Sequence, residues 1–285
     1  MIETDFIKHL NRISLIINKR VNSNYSGERP SIFTGHGMLF KDHRIYTPGD
    51  DHRDIDWKVF ARTDKLHVKR FEEERNLIVH VIVDSSASMG YKSTGETTKF
   101  DYAAMIGIGF AYMALKNNER FVLSTFSDKL EVFNPRKGRK QLTFILDYLK
   151  NKKPEGISNF EGSLSNYAKL IKHRSIVIIV SDFLYDPEEI RNVLSRFKNS
   201  GIKLVQVLDP MEKDLKLKGE YTLKDSETKD LLKTFVNPFV KKTYEERLDE
   251  HKKRVKWIAE SLGATFYSLS TDKHIFDSFY DVLRA

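Results

Sequence analysis

The sequence contains no cysteine. Disulfide bonds, thiolate nucleophiles and cysteine-ligated zinc are therefore excluded for this chain. Any metal ion that it binds must be held by oxygen atoms or by imidazole nitrogen.

Long apolar runs are also missing. No stretch approaches the roughly 20 consecutive apolar residues that a membrane-spanning helix needs. The opening residues MIETDFIKHLNR bring acidic side chains early and contain no apolar segment like that of a signal peptide. We therefore expect a cytoplasmic protein without a membrane span, and its 285 residues suit one main domain with an added arm.

Two patterns typical of nucleotide and nucleic-acid binding are absent as well. The chain has no Gly-x-x-x-x-Gly-Lys loop, so we do not expect it to hydrolyse nucleotides itself. Its net charge is +8, but the basic residues are scattered among acids without an accompanying pattern of stacking aromatics. This charge fits an acidic protein partner or nucleic acid, and the missing aromatics make nucleic acid the weaker alternative.

The sequence does contain a regular alternation of strand and helix patterns in its larger, C-terminal part. Strands are predicted at 77–83, 120–126, 175–180, 203–208 and 265–268. Helices are predicted at 100–116, 139–150, 160–172, 187–198, 238–262 and 273–283. This alternation predicts an α/β fold with a doubly wound, mostly parallel sheet and helices on both faces.

Three segments fall outside this alternation. Apolar residues at helical spacing predict an amphipathic helix over 5–19, and the following residues indicate an irregular arm of short strands and turns. Two alternating runs around turn residues predict an inserted β-hairpin over about 209–236. The predicted organisation is an N-terminal helix and arm over 1–74 and an α/β domain over 75–285. Trp57 and Trp257 are expected to be core or interface anchors.

Polar side chains follow two of the predicted strands and also lie in one loop before a predicted helix. Asp84, Ser86 and Ser88 end the first strand in the run VIVDSSASMG, Ser158 and Asn159 lie in the loop PEGISNFEG, and Asp182 follows SIVIIVSDF. In open α/β sheets, ligands bind beyond the carboxyl ends of the strands. Two carboxylates and three hydroxyls suit a hard divalent cation, Mg²⁺ or Mn²⁺. Neutral hydroxyl ligands leave the cation with uncancelled charge, so a partner's Asp or Glu could complete its coordination shell.

These residues resemble the metal-ion-dependent adhesion site of von Willebrand factor A domains. The resemblance assigns Asp84, Ser86 and Ser88 to the first loop of that site, Ser158 to the position of a threonine in the second loop, and Asp182 to the aspartate of the third. It implies that the hydroxyls reach the metal directly and that the aspartates often act through water. Asn159 stands where many members have an aspartate, so it is a neighbour of the predicted site.

The segment before the sheet, together with parts of the C-terminal half, resembles a more specific family. The run GHGMLFKDHRIYTPGDDHRDIDWKVFARTDKLHVKRFEEERN and the later VLDPMEKD, LKDSETK and TDKHIFDSFYDVLR resemble the bacterial and archaeal family known as domain of unknown function 58. The resemblance implies a Rossmann-type, von Willebrand factor A-like domain. It also implies that the protein acts together with a MoxR-type AAA+ ATPase in chaperone-like maturation or stress tolerance.

Other interpretations of the same residues remain open. The run DSSAS could cap a helix without any metal. A metal-dependent hydrolase or phosphatase could use the same site, yet the Gly-x-Ser-x-Gly elbow is absent, and His251 and His274 lack an evident paired acid. Aspartyl-phosphate chemistry at Asp84 lacks a clear catalytic lysine. We find no complete catalytic constellation and expect a binding protein rather than an enzyme.

The arm is rich in histidine, aspartate and arginine. Its histidines and carboxylates could hold zinc, but no pair has the i, i+4 helical spacing of hydrolytic sites, so a surface of hydrogen bonds and ion pairs is favoured. Arg44, Arg53 and Arg62 are expected to pair with nearby aspartates and, with Asn159, to form a candidate partner-binding surface.

Overall fold

The computed structural model describes residues 39–72, 77–173, 175–197 and 200–284. The described residues belong to two structural units, one within 18–76 and the other within 77–285. The helix predicted over 5–19 lies outside the described residues.

The smaller unit contains an antiparallel strand pair and a short helix. Strands β1 (Leu39–Ile45) and β2 (His67–Glu72) pair with each other, and helix α1 (Trp57–Thr63) lies between them in the chain. Helix α1 begins directly after Asp56, because the carboxylate of Asp56 accepts hydrogen bonds from the backbone N–H groups of Lys58 and Val59. The sequence predicted short strands and turns here but missed this helix.

The turn after β1 is held by an aspartate. Asp50 accepts hydrogen bonds from the backbone N–H of Thr47 at 2.9 Å and from Arg44 at 2.6 Å. Gly49 takes a φ of +109°, which residues with a side chain resist. A turn in this arm was expected, and Arg44 pairs with an aspartate as expected.

The larger unit is built on one central sheet with helices on both faces. Its elements, in chain order, are β3 (Ile78–Asp84), α2 (Lys99–Lys116), β4 (Arg120–Phe126), β5 (Leu130–Glu131), α3 (Arg139–Asn151), α4 (Phe160–Leu170), β6 (Ser175–Ser181), α5 (Pro187–Leu194), β7 (Gly201–Leu208), α6 (Pro210–Lys213), β8 (Gly219–Lys224), β9 (Leu231–Val236), α7 (Pro238–Ser261), β10 (Thr265–Ser270) and α8 (Ile275–Arg284). The sheet order is β10-β7-β6-β3-β4-β5, and all neighbours are parallel except the short β5. The prediction of an α/β fold with a mostly parallel sheet is confirmed.

Alternate residues of β3 face two different cores. Val79, Val81 and Val83 pack with α2, α3 and α8, whereas Ile82 packs with α4, α5 and α7 on the opposite face. Because both faces are covered, every residue of β3 is buried. This explains the nearly continuous apolar run in the sequence.

The antiparallel hairpin β8–β9 forms a separate two-stranded sheet within 209–236, the interval of the predicted insertion. Several of its large apolar side chains are exposed. Trp57 and Trp257 are 62 % and 60 % exposed, so neither is a core residue, and the alternative that they are interface anchors stays a prediction. None of the helices in the described ranges combines the length and apolar character needed to cross a bilayer.

His80 of β3 makes stability depend on pH. The residue is 6 % exposed, and its Nδ1 lies 2.9 Å from the hydroxyl of Tyr167. Burial lowers the pKa of His80 from 6.5 to about 4. Between these values the unfolded chain binds a proton that the folded chain does not, so the free energy of unfolding falls as the pH is lowered. We expect His80 to contribute a loss of about 3 kcal/mol between pH 7 and pH 4.

Urea unfolding at several pH values measures this contribution as the difference between the protein and a His80→Gln variant. That comparison removes the effect of other buried groups that titrate in the same range. The same change at the exposed His173 serves as the control and should leave the pH dependence unaltered. Parallel pH profiles for the protein and His80→Gln would contradict the prediction.

Candidate functional site at the strand ends

The strand order creates a crevice at the carboxyl ends of β3 and β6. These strands are neighbours, but the chain leaves β3 toward β4 on one side and leaves β6 toward β7 on the other. Ligands of doubly wound sheets bind at such a switch point. Asp84 is the last residue of β3, and Asp182 directly follows β6. The two predicted carboxylates therefore stand side by side at this crevice.

Backbone hydrogen bonds hold the loop of Ser158 beside the loop after β3. The N–H of Ala87 donates to the carbonyl of Gly156 at 2.9 Å, and the N–H of Glu155 donates to the carbonyl of Ser85 at 2.9 Å. The loop can take this course because Gly156 adopts a φ of +84°, which residues with a side chain resist. Ser158 thus belongs to the same crevice as Asp84, although 74 positions separate them in the chain.

Four of the five predicted residues form a chain of direct contacts. Oδ1 of Asp84 accepts a hydrogen bond from the backbone N–H of Ser86 at 2.9 Å. The Oγ atoms of Ser86 and Ser88 are 3.0 Å apart, and Oγ of Ser88 donates to Oδ2 of Asp182 at 3.3 Å. Side chains from two strand ends therefore converge on one small volume.

Tyr185 connects the fifth residue, Ser158, to this group. The hydroxyl of Tyr185 donates to Oδ2 of Asp84 and lies 2.7 Å from Oγ of Ser158. Ser181 also donates to Oδ2 of Asp84, at 2.7 Å. All five predicted residues are therefore joined in one hydrogen-bonded cluster, which we call the strand-end cluster: Asp84, Ser86, Ser88, Ser158 and Asp182.

A buried ammonium group lies at the edge of the strand-end cluster. Nζ of Lys99 is 3.0 Å from Oδ2 of Asp182 and 2.7 Å from Oε1 of Glu212, and its side chain is 1 % exposed. Burial opposes the charge of Lys99, but the two carboxylates outweigh it and raise its pKa. Asp182 is thus paired with a permanent cation, whereas Asp84 is held by neutral donors.

Burial and the neighbouring charge of Asp182 raise the pKa of Asp84 to about 6, against the opposing effect of its hydrogen bonds. Burial and the charges of Asp84 and Asp182 also raise the pKa of Tyr185 well above its ordinary value. The crevice therefore concentrates negative charge in a place that water reaches poorly.

The helix-cap interpretation of DSSAS receives no support. Ser86 precedes a single 3-10 turn, Ala87–Gly90, and its side chain makes no capping hydrogen bond there. Helix α2 begins later, where Thr98 and Asp101 form a reciprocal capping box. The hydroxyl of Ser86 therefore contacts the hydroxyl of Ser88 and does not cap a helix.

The candidate partner-binding residues have local partners of their own. The side chain of Asn159 caps α4 by accepting from the N–H of Gly162 at 3.1 Å. In the smaller unit, Arg44 pairs with Asp50, and Nε of Arg62 donates to the carbonyl of Lys58 at 3.3 Å. The backbone N–H of Arg53 donates to Asp51 at 2.9 Å.

The described residues contain no group of three or more His, Cys, Asp or Glu side chains arranged to hold a metal ion. The strand-end cluster has only two carboxylates and would rely on hydroxyls, which lie outside that definition. Its donor set of oxygen atoms alone is the kind that Mg²⁺ and Mn²⁺ select.

Sequence reasoning missed Tyr185, Lys99 and Glu212. Tyr185 follows the predicted strand closely in SDFLYDP, so a tyrosine just beyond a strand end was a readable signal. Lys99 opens a helix as an ordinary charged residue, and nothing local marks it as buried. Its partners lie 83 and 113 positions away in the chain.

A family model with the description "Protein of unknown function DUF58" matches residues 42–254. The uncharacterized protein Rv1480 of Mycobacterium tuberculosis strain H37Rv is 24% identical over 280 residues, which cover 96% of this chain and 87% of that protein. The uncharacterized protein YeaD of Bacillus subtilis is 25% identical over 139 residues, which cover 48% of this chain and 32% of that protein.

Two solved bacterial structures superpose loosely. An aerotolerance-related membrane protein of Bacteroides fragilis has a TM-score of 0.47 and 9% identity, covering 73% of this chain and 97% of that one. The conserved hypothetical protein BatB of Bacteroides thetaiotaomicron has a TM-score of 0.43 and 9% identity, with the same coverage, 73% and 97%. Superpositions this loose add nothing to the assignment of a function.

Proposed function

This chain belongs to the DUF58 family, and we propose that it is a divalent-cation-dependent protein-binding module with a von Willebrand factor A-like domain. The observation that carries this proposal is the strand-end cluster. Three separate chain segments bring two carboxylates and three hydroxyls into one hydrogen-bonded group at the switch point of the sheet.

The donor set fits Mg²⁺ or Mn²⁺. Neighbouring ligands of an octahedral Mg²⁺ ion are about 2.9 Å apart, because each metal–oxygen bond is about 2.0–2.1 Å. The Oγ atoms of Ser86 and Ser88 are separated by 3.0 Å, which matches that spacing. Within the part of the chain that the structure describes, the hydrogen bonds to Asp84 come from neutral donors on Ser86, Ser181 and Tyr185, so a cation would relieve its buried charge.

In this proposal the hydroxyls of Ser86, Ser88 and Ser158 hold the cation directly, and Asp84 and Asp182 act through water. The cation supplies a positive charge to which a carboxylate of another protein can bind. Tyr185 and Ser181 fix the orientation of Asp84, and Lys99 fixes that of Asp182.

The proposed partner is a protein that presents an Asp or Glu carboxylate, with a MoxR-type AAA+ ATPase as the specific candidate. A carboxylate at a desolvated cation forms a strong, charge-assisted contact. No turnover is required of this chain, since its role would be to hold a partner while the ATPase does work.

A metal-dependent hydrolase is supported less well by the contacts. The described partner of the Ser86 hydroxyl is Ser88, and Nε2 of His251 lies 2.7 Å from the carbonyl of Phe183. A nucleophile needs a base within hydrogen-bonding reach, and Ser86 has a second serine in that place.

Biolayer interferometry with the purified chain and the MoxR-type ATPase of the same organism tests the proposal. We expect binding in millimolar Mg²⁺ and its loss in EDTA, with recovery when Mn²⁺ is added. Calorimetric titration with Mn²⁺ alone should show one site on the chain. Equal binding in Mg²⁺ and in EDTA would contradict the proposal.

A further inference from the structure

The tip of the inserted hairpin carries a carboxylate that reaches the strand-end cluster. Oε2 of Glu227 accepts a hydrogen bond from the backbone N–H of Ser158 at 3.0 Å, across 69 positions of the chain. Oγ of the same serine is 2.7 Å from Tyr185, which donates to Asp84. Glu227 therefore contacts the backbone of Ser158, the residue whose hydroxyl is proposed to bind the cation.

The turn that carries Glu227 is held by hydrogen bonds of its own. Oδ1 of Asp225 accepts from the N–H groups of Glu227 at 2.7 Å and Thr228 at 2.9 Å, and the N–H of Asp225 donates to the carbonyl of Asp230 at 2.9 Å. Lys229 adopts a positive φ of 68°, which closes the turn. These contacts fix the direction of the backbone at Glu227, which is half-buried although most residues of the strands on either side are exposed.

A carboxylate in this place would compete with a partner's carboxylate if one coordination position of the cation were open. Two carboxylates held close together also repel each other. A group on the same chain also acts at a high effective concentration, in the millimolar range or above for a short connection. A carboxylate on the same chain, held at the backbone of Ser158, therefore has an advantage over an external carboxylate.

We propose that Glu227 is an internal competitor that occupies the place of the partner's carboxylate, so that the hairpin tip must move away before a partner binds. This inference rests on the proposed function, because it requires a cation at the strand-end cluster. It adds a residue that selects among partners, since only a carboxylate that outcompetes Glu227 can bind.

The test measures the binding of a small external carboxylate to the Mn²⁺-loaded chain. Fluoroacetate is the probe, and the paramagnetic broadening of its ¹⁹F NMR signal reports its approach to Mn²⁺. If the closed hairpin outweighs the open one by about ten to one, removing Glu227 should tighten fluoroacetate binding about tenfold. We expect this gain in Glu227→Gln.

Two further variants test whether the gain is specific to Glu227 and whether it depends on the proposed cation site. Glu220→Gln makes the same change on the exposed strand β8 of the hairpin and should behave like the unaltered protein. Asp84→Asn should abolish the broadening in every background. The Ser158 amide should also exchange with deuterium faster in Glu227→Gln, because its acceptor has lost its charge.

Equal fluoroacetate affinity in the protein and in Glu227→Gln, with Mn²⁺ binding that depends on Asp84, would overturn this inference and leave the proposed function intact. A gain of the same size in Glu220→Gln would also overturn it, because the effect would then reflect general charge. Absence of Asp84-dependent Mn²⁺ binding in the unaltered protein would overturn both proposals.

Discussion

Replacing Asp84 with asparagine is expected to weaken Mg²⁺ and Mn²⁺ binding by about 100-fold and to abolish cation-dependent partner binding. Asp84 is fully buried and supplies a negative charge at the proposed cation site. Asparagine keeps the shape of the side chain but removes this charge. Calorimetric titration with Mn²⁺ measures the loss directly.

The fold should tolerate this change. The buried charge of Asp84 is raised in energy by the neighbouring Asp182, so its removal should leave thermal stability in EDTA equal to or above that of the unaltered protein. Asp147→Asn, the same change at an exposed position of α3, is the control and should not alter Mn²⁺ binding. Mn²⁺ binding retained in Asp84→Asn would show that the cation is held elsewhere.

Replacing Lys99 with methionine is expected to lower the free energy of unfolding by about 3–5 kcal/mol. Lys99 is 1 % exposed and provides the ammonium group between Asp182 and Glu212. Methionine fills most of the space but leaves two carboxylates in a poorly hydrated place without their cation. Urea unfolding at neutral pH measures the change.

A second substitution distinguishes lost charge from lost packing. Glu212→Gln in the Lys99→Met background removes one of the stranded charges, so it should restore part of the stability, and a double-mutant cycle gives the coupling. Lys116→Met, at the exposed end of the same helix, should change stability by less than about 1 kcal/mol. A Lys99→Met variant as stable as Lys116→Met would contradict the role assigned to this ion pair.

The sequence predicted the elements of the larger unit closely because their signals are local. The strand at 120–126 was predicted with the bounds that the structure gives, and the strand before Asp84 was predicted to within one residue at each end. A buried strand is written as a continuous apolar run, and turn residues and caps mark where it stops. The missed α6 and β5 span four and two residues, too few for a periodic pattern.

The candidate site was predicted in its polar residues at strand ends, because parallel strands that start at one edge finish at the same opposite edge. Asp84 and Asp182 could therefore be placed together from the pattern alone. The order of the strands, which makes β3 and β6 neighbours, was decided by tertiary packing.

Local patterns of residues were enough to predict an α/β fold, the course of its strands and the polar strand-end residues, since each depends on neighbours a few positions away. The contacts of Tyr185 with Asp84, of Lys99 with Glu212 and of Glu227 with Ser158 depend on how the elements pack together. The last two contacts join residues 113 and 69 positions apart. Such contacts form where strand order and the inserted hairpin bring distant segments together, and no local pattern of residues encodes that placement.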